Sequence, residues 1–148
     1  MRDGGTAATP CPELPSADHP RAVVAGHGDF PQGIVSAVGQ ITGRDGALIP
    51  FSNNGLCRDE IETGLRACLD RHNVHVVFTD LPAGSTTIAT RRLMRADPSI
   101  VLVTGVNMAA LIDFVFCDVS RDVGEAARHA AEKGGQALTV YTGAPAER

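Results

Sequence analysis

His27 sits between two glycines in the segment Gly26-His27-Gly28-Asp29, directly after the apolar run AVVA at 22–25. Flanking glycines allow a tight turn and leave the imidazole open to a partner. A histidine with one ring nitrogen free and the other held by an acceptor is a nucleophile able to form a covalent intermediate. Asp80 follows another apolar run, VHVVFT at 74–79, and is the natural holder. A carboxylate on one ring nitrogen fixes the tautomer and stabilises positive charge on the ring. Gly84, Ser85 and Thr86 then open a helical pattern. The positive end of that helix, its free backbone N–H groups and the Ser85 and Thr86 hydroxyls would hold a phosphoryl group. These parts fit a phosphohistidine, with His27 and Asp80 as the catalytic pair. Taken singly, each has a plainer reading as a turn or a helix cap. The functional reading gains from their convergence at one end of a sheet.

That convergence requires a particular scaffold. Strand-like runs at 22–25, 47–51, 74–79 and 100–104 alternate with helical patterns. The first helix starts at Pro31, carries Ile34, Val35, Val38 and Ile41 on one face, and stops at Gly43. The second, Arg58–His72, has Ile61, Leu65, Cys68 and Leu69 as its stripe. A third spans Ser85–Ala96, and a fourth runs from the turn at 105–107 to Phe116. A fifth covers 121–133 and is expected to end at Gly134-Gly135, before a short strand at 137–141. This rhythm predicts an α/β fold, a parallel sheet with helices on both faces. Its continuously apolar strands agree, because strands covered on both sides need not alternate. Reactive groups of such sheets gather beyond the carboxyl ends of the strands. In the order 2-1-3-4, strands one and three are neighbours, and the His27 and Asp80 loops meet.

Composition removes several function classes. Thirteen basic residues stand against seventeen acidic ones, a formal net charge of −4. That argues against a strongly basic nucleic-acid binder. Lys133 stands in Glu-Lys-Gly-Gly and not in a phosphate-binding GxxxxGK[ST] loop. No apolar run reaches the roughly 18–20 residues of a membrane span. Residues 1–19 lack the apolar segment of a secretory signal and read as a flexible tail, leaving 20–148 as one domain. The four cysteines, Cys11, Cys57, Cys68 and Cys117, form no CxxC pair and read as reduced thiols of a cytoplasmic protein. Cys68 and Cys117 read as small buried hydrophobes.

The segments AGHGDFPQGIVSAVGQITG (25–43), FTDLPAGSTTIATRRLM (78–94) and VLVTGVNMAALIDFVF (101–116) resemble the mannose-family enzyme IIA domain of the bacterial phosphoenolpyruvate:sugar phosphotransferase system. The likeness runs from Arg21 to Tyr141. It implies that His27 takes a phosphoryl group from the phosphocarrier HPr and passes it to an enzyme IIB domain, serving membrane IIC and IID components indirectly. Asp80 would be the orienting aspartate, and Ser85 the hydroxyl residue beside the phosphoryl group. No metal or other cofactor is implied. The family's fold is a flavodoxin-like sheet of order 2-1-3-4. A fifth, antiparallel strand is exchanged within a homodimer, and residues 137–141 would be that strand. The GHGxF and TDL variants resemble the branch serving N-acetylgalactosamine and related amino sugars. The chain departs from the family at Pro82-Ala83-Gly84-Ser85-Thr86-Thr87, where a first glycine and a later proline are absent, and at Leu81, often an aromatic. Two other readings remain open: the phosphotransfer subunit of a dihydroxyacetone kinase, and a non-catalytic regulatory module on the same fold.

Other residues have plainer expected roles. Asp29 and Asn107 are expected to cap helices. His72 and His75 are not expected to form a metal site, and His129 is expected to face solvent. Arg91, Arg92 and Arg95 form a basic face, solvated or used for docking an acidic partner. Met108, Leu111, Ile112, Val115 and Phe116 read as core or dimer interface.

Overall fold

The computed structural model describes residues 19–144. The expected tail, apart from His19, and Cys11 lie outside the described residues. Nine elements follow in order: β1 (Ala22–Gly26), α1 (Phe30–Thr42), β2 (Leu48–Ser52), α2 (Arg58–His72), β3 (Val76–Thr79), α3 (Ser85–Ala96), β4 (Val101–Thr104), α4 (Met108–Phe116) and α5 (Val123–Ala137). The four strands form one sheet of order β2-β1-β3-β4 with every pairing parallel, which is the 2-1-3-4 order expected. In register, Ala25 faces Phe51 on one side and Thr79 on the other, and Thr79 faces Thr104. The carboxyl ends of the strands are therefore level.

Alternate residues of the central strands feed two cores. Val24, Val76 and Phe78 pack with Val38, Leu111, Phe114, Val115 and Ala130 beneath α1, α4 and α5. Val23, Ala25 and Val77 pack with Leu65, Leu69, Ala89 and Leu93 beneath α2 and α3. With so few aromatics, one pair carries weight: the Phe78 and Phe114 rings meet edge to face at 5.1 Å. The Arg21 guanidinium lies 4.9 Å from the Phe114 ring centre and donates to the carbonyls of Phe114, Val115 and Cys117. It thus closes the exposed carbonyl end of α4 from across the sheet.

Two boundaries differ from expectation for a physical reason. Gly134-Gly135 does not stop the last helix, which continues to Ala137. A Cβ on Gly134 would stand 2.8 Å from Asn107 Oδ1 and 2.9 Å from Ala110 Cβ. The glycine lets α5 approach α4 closely, and the Asn107 amide donates to the Gly134 carbonyl at 2.9 Å. Ala137, expected to begin a strand, is the last helical residue. Residues 138–141 pair with no strand among the described residues, and Leu138, Val140 and Tyr141 are almost fully exposed.

The smaller expectations divide. Asn107 caps α4, accepting from the Ala110 N–H at 3.0 Å. Asp29 occupies the capping position of α1, but its side chain makes no capping bond. His129 does not simply face solvent: its Nδ1 lies 2.7 Å from Asp113 Oδ2 across the α4–α5 seam. Cys68 is half-buried, and that burial raises its thiol pKa.

Candidate functional site

Three loops meet at the carboxyl end of the sheet, following β1, β2 and β3. The β1 loop carries His27. Its Nδ1 lies 2.7 Å from Asp80 Oδ2. A carboxylate accepts, so the ring hydrogen belongs on Nδ1, and Nε2 of the neutral ring keeps its lone pair. The same oxygen accepts the backbone N–H of His27 at 2.8 Å. One carboxylate oxygen therefore fixes both the ring and the peptide that bears it. The His27 side chain is 51% exposed and that of Asp80 12%, so the imidazole faces out while its holder is sheltered.

The two glycines beside His27 do different work. A Cβ on Gly26 would stand 2.6 Å from Asp80 Oδ2, so Gly26 makes room for the carboxylate. Gly28 adopts φ +55°, a left-handed turn that favours glycine. Gly84 has a third role. A Cβ there would be 3.1 Å from His27 Cε1, and its absence lets the ring rest against the start of α3.

Gly84 caps α3 with extended backbone, and its carbonyl accepts the Ile88 N–H at 3.0 Å. The N–H groups of Ser85, Thr86 and Thr87 open that helix and have no partner within it. Their positive end lies next to the imidazole, a setting that suits an anion. Ser85 is the first helical residue and is half-buried. Thr86 is fully buried, and its Oγ1 has no partner among the described residues. Thr86 therefore presents neither its hydroxyl nor its N–H to solvent, where the sequence pointed to its hydroxyl. Thr87 donates to the Leu81 carbonyl at 2.5 Å, and Thr79 donates to Thr87 Oγ1 at 2.6 Å. This buried chain ties the Asp80 loop to the first turn of α3.

The β2 loop brings a residue that sequence reasoning missed. Asn53 donates from Nδ2 to Ser85 Oγ at 2.9 Å. Its backbone N–H donates to the Gly26 carbonyl at 3.0 Å, and the preceding Ser52 hydroxyl donates to the Gly28 carbonyl at 2.8 Å. The sequence showed Ser52-Asn53-Asn54-Gly55 as a strand-ending turn. The parallel sheet puts that turn at the reactive end, a signal that was available. Four partly exposed apolar side chains lie on the same loops and helix starts: Phe30, Leu56, Leu81 and Ile88. Among the described residues, no group of three or more His, Cys, Asp or Glu could hold a metal ion.

The family model described as the PTS system fructose IIA component, EIIA-man, matches residues 21–131. The chain belongs to that family. It is thereby a IIA component of the phosphotransferase system. Solved structures share the fold. The mannose/sorbose-specific IIA subunit from Enterococcus faecalis is 23% identical, with a TM-score of 0.72 over 86% of this chain and 98% of that one. A IIA protein associated with the fucose utilization operon of Streptococcus pneumoniae is 19% identical, with a TM-score of 0.69 over 82% and 93%. The EIIA component from Streptococcus agalactiae is 21% identical, with a TM-score of 0.64 over 77% and 93%. Comparison with curated proteins gives no match. No helix among the described residues of this IIA chain is long and apolar enough to cross a membrane.

Proposed function

We propose that this IIA chain is a phosphoryl relay that accepts phosphate from phospho-HPr on His27 Nε2 and passes it to an enzyme IIB domain. The carrying observation is the His27–Asp80 pair set against the open N-terminus of α3. In the forward step the Nε2 lone pair attacks phosphorus. A new P–N bond forms, the P–N bond of the donor breaks, and its electron pair returns to the donor imidazole. The Nδ1 hydrogen stays on Asp80's side of the ring, where the carboxylate offsets the positive charge that the ring acquires. The Ser85 N–H and hydroxyl, backed by the positive end of α3, stabilise the oxygens in flight, so positioned donors supply what a metal supplies elsewhere. Transfer to IIB reverses the same step. Phe30, Leu56, Leu81 and Ile88 give the two protein partners an apolar rim on which to dock.

The same reading covers the C-terminus. The strip at 138–141 leaves the body with Leu138, Val140 and Tyr141 exposed, while among the described residues β4 pairs on one side only. An exchanged antiparallel strand in a homodimer would bury both.

The test is incubation of the full chain with phosphoenolpyruvate, enzyme I and HPr, followed by intact mass. The expected result is an acid-labile gain of one phosphate that is absent in His27→Ala. A gain that persists in His27→Ala overturns the assignment. Retrieval of dihydroxyacetone kinase subunits in place of IIB would reassign the acceptor.

A further inference from the structure

We propose that Asn53 is a positioning residue of this site: it turns the Ser85 hydroxyl into a donor aimed at the phosphoryl oxygens. The inference rests on the phosphohistidine reading above and adds a residue to it.

A serine hydroxyl has one hydrogen and can also accept. Asn53 Nδ2 already donates to Ser85 Oγ at 2.9 Å. An N–H pointing at that oxygen leaves no acceptor on the Asn53 side, so the Ser85 proton is free for another group. Ser85 is the first residue of α3, beside the amides that open the helix. The group best placed to take its proton is an oxygen of a phosphoryl carried by His27.

Asn53 is itself held in place. Its N–H is bonded to the Gly26 carbonyl, and its carbonyl accepts the Leu56 N–H at 3.1 Å. Ser52 binds Gly28 while accepting the Asn54 N–H at 3.1 Å. The anchors are thus the two glycines that flank the nucleophile. One amide side chain couples the loop that carries His27 to the helix that would receive its phosphoryl group. Asn53 acts through Ser85 and needs no contact with phosphate.

The near-isosteric aspartate gives the sharpest test. A carboxylate at position 53 accepts from Ser85, takes its proton away from the phosphoryl group and adds negative charge beside it. A role confined to shape predicts that Asn53→Asp is milder than Asn53→Ala; the proposed role predicts the reverse.

The full chain is phosphorylated by HPr, enzyme I and phosphoenolpyruvate, with formation followed by rapid quench. Asn53→Ala is expected to slow formation about three- to tenfold, the rate equivalent of one hydrogen bond. Asn53→Asp should be slower still, with its deficit shrinking as the pH falls into the carboxylate range. In a Ser85→Ala background, Asn53→Ala should add nothing, because the pair acts as a unit. Independent, multiplying effects of the two substitutions would overturn the proposal, as would an Asn53→Asp rate equal to or above that of Asn53→Ala. Asn53→Ser, too short to reach Ser85, replaces any variant whose thermal midpoint shows that it has not folded. If the unmodified chain takes no phosphate on His27, the underlying reading fails and this inference with it. If it is phosphorylated and the Asn53 variants match it, this inference alone fails.

Discussion

Among the described residues, two histidine–aspartate pairs have the same length. His27 meets Asp80 and His129 meets Asp113, each with Nδ1 2.7 Å from Oδ2, and both histidines are partly exposed. Distance and exposure do not distinguish them. Their surroundings do. His129 and Asp113 lie within α5 and α4, where neighbouring backbone N–H and C=O groups are consumed by the helices' own bonds. No free backbone N–H is left there to receive an anion. His27 and Asp80 lie on loops beyond β1 and β3, beside the unspent N–H groups at the start of α3. A carboxylate on an imidazole is a common structural tie. The proposed function makes it a phosphoryl site only where unspent donors stand next to the free nitrogen.

Substitutions can break or sharpen that contrast. The largest effect is expected from Asp80→Asn, which removes the acceptor that sets the tautomer. It should lower the rate of phosphohistidine formation about 10²–10⁴-fold, the usual range for a positioned acid–base group. Asp113→Asn, measured in the same quench assay, should leave that rate unchanged, and an equal loss in both would erase the distinction. Gly26→Ala comes next. Its Cβ would meet Asp80 Oδ2 at 2.6 Å, and displacing the carboxylate should cost about ten- to a hundredfold in rate. A wild-type rate would show that the carboxylate's position is not critical. The smallest effect is expected from His129→Ala. It loosens the α4–α5 seam by about 0.5 kcal/mol, as for a partly exposed pair, seen as a small fall in denaturant midpoint with transfer intact.

Much of this is legible in the sequence. Helices Arg58–His72 and Ser85–Ala96 have the bounds that their apolar spacing indicates, the alternation of strands and helices gives the parallel sheet, and the family resemblance gives its order. His27 and Asp80 could be paired because parallel strands put their following loops at one end. What escaped was contact between elements that sequence spacing does not rank. Gly134 looks like a stop, yet it is the point where α5 packs against Asn107 and Ala110. His129 looks solvent-facing until α4 is laid beside it. Asn53 reads as a turn residue, because nothing local shows that its side chain reaches Ser85 in an element far along the chain. Thr86 reads as a surface hydroxyl, because one helical turn has both a site side and a core side.

The pairing of His27 with Asp80 spans 53 residues of sequence. During synthesis at about 5–20 residues per second, the histidine is made roughly 3–10 s before its aspartate. A nascent chain therefore carries a reactive side chain with no tautomer control and no helix start to receive an anion. Under the proposed function, competence would arrive only when β3 docks beside β1, about halfway along the growing chain. On that reading, chemistry would be a property of closure across the sheet, and a chain without β3 would be silent.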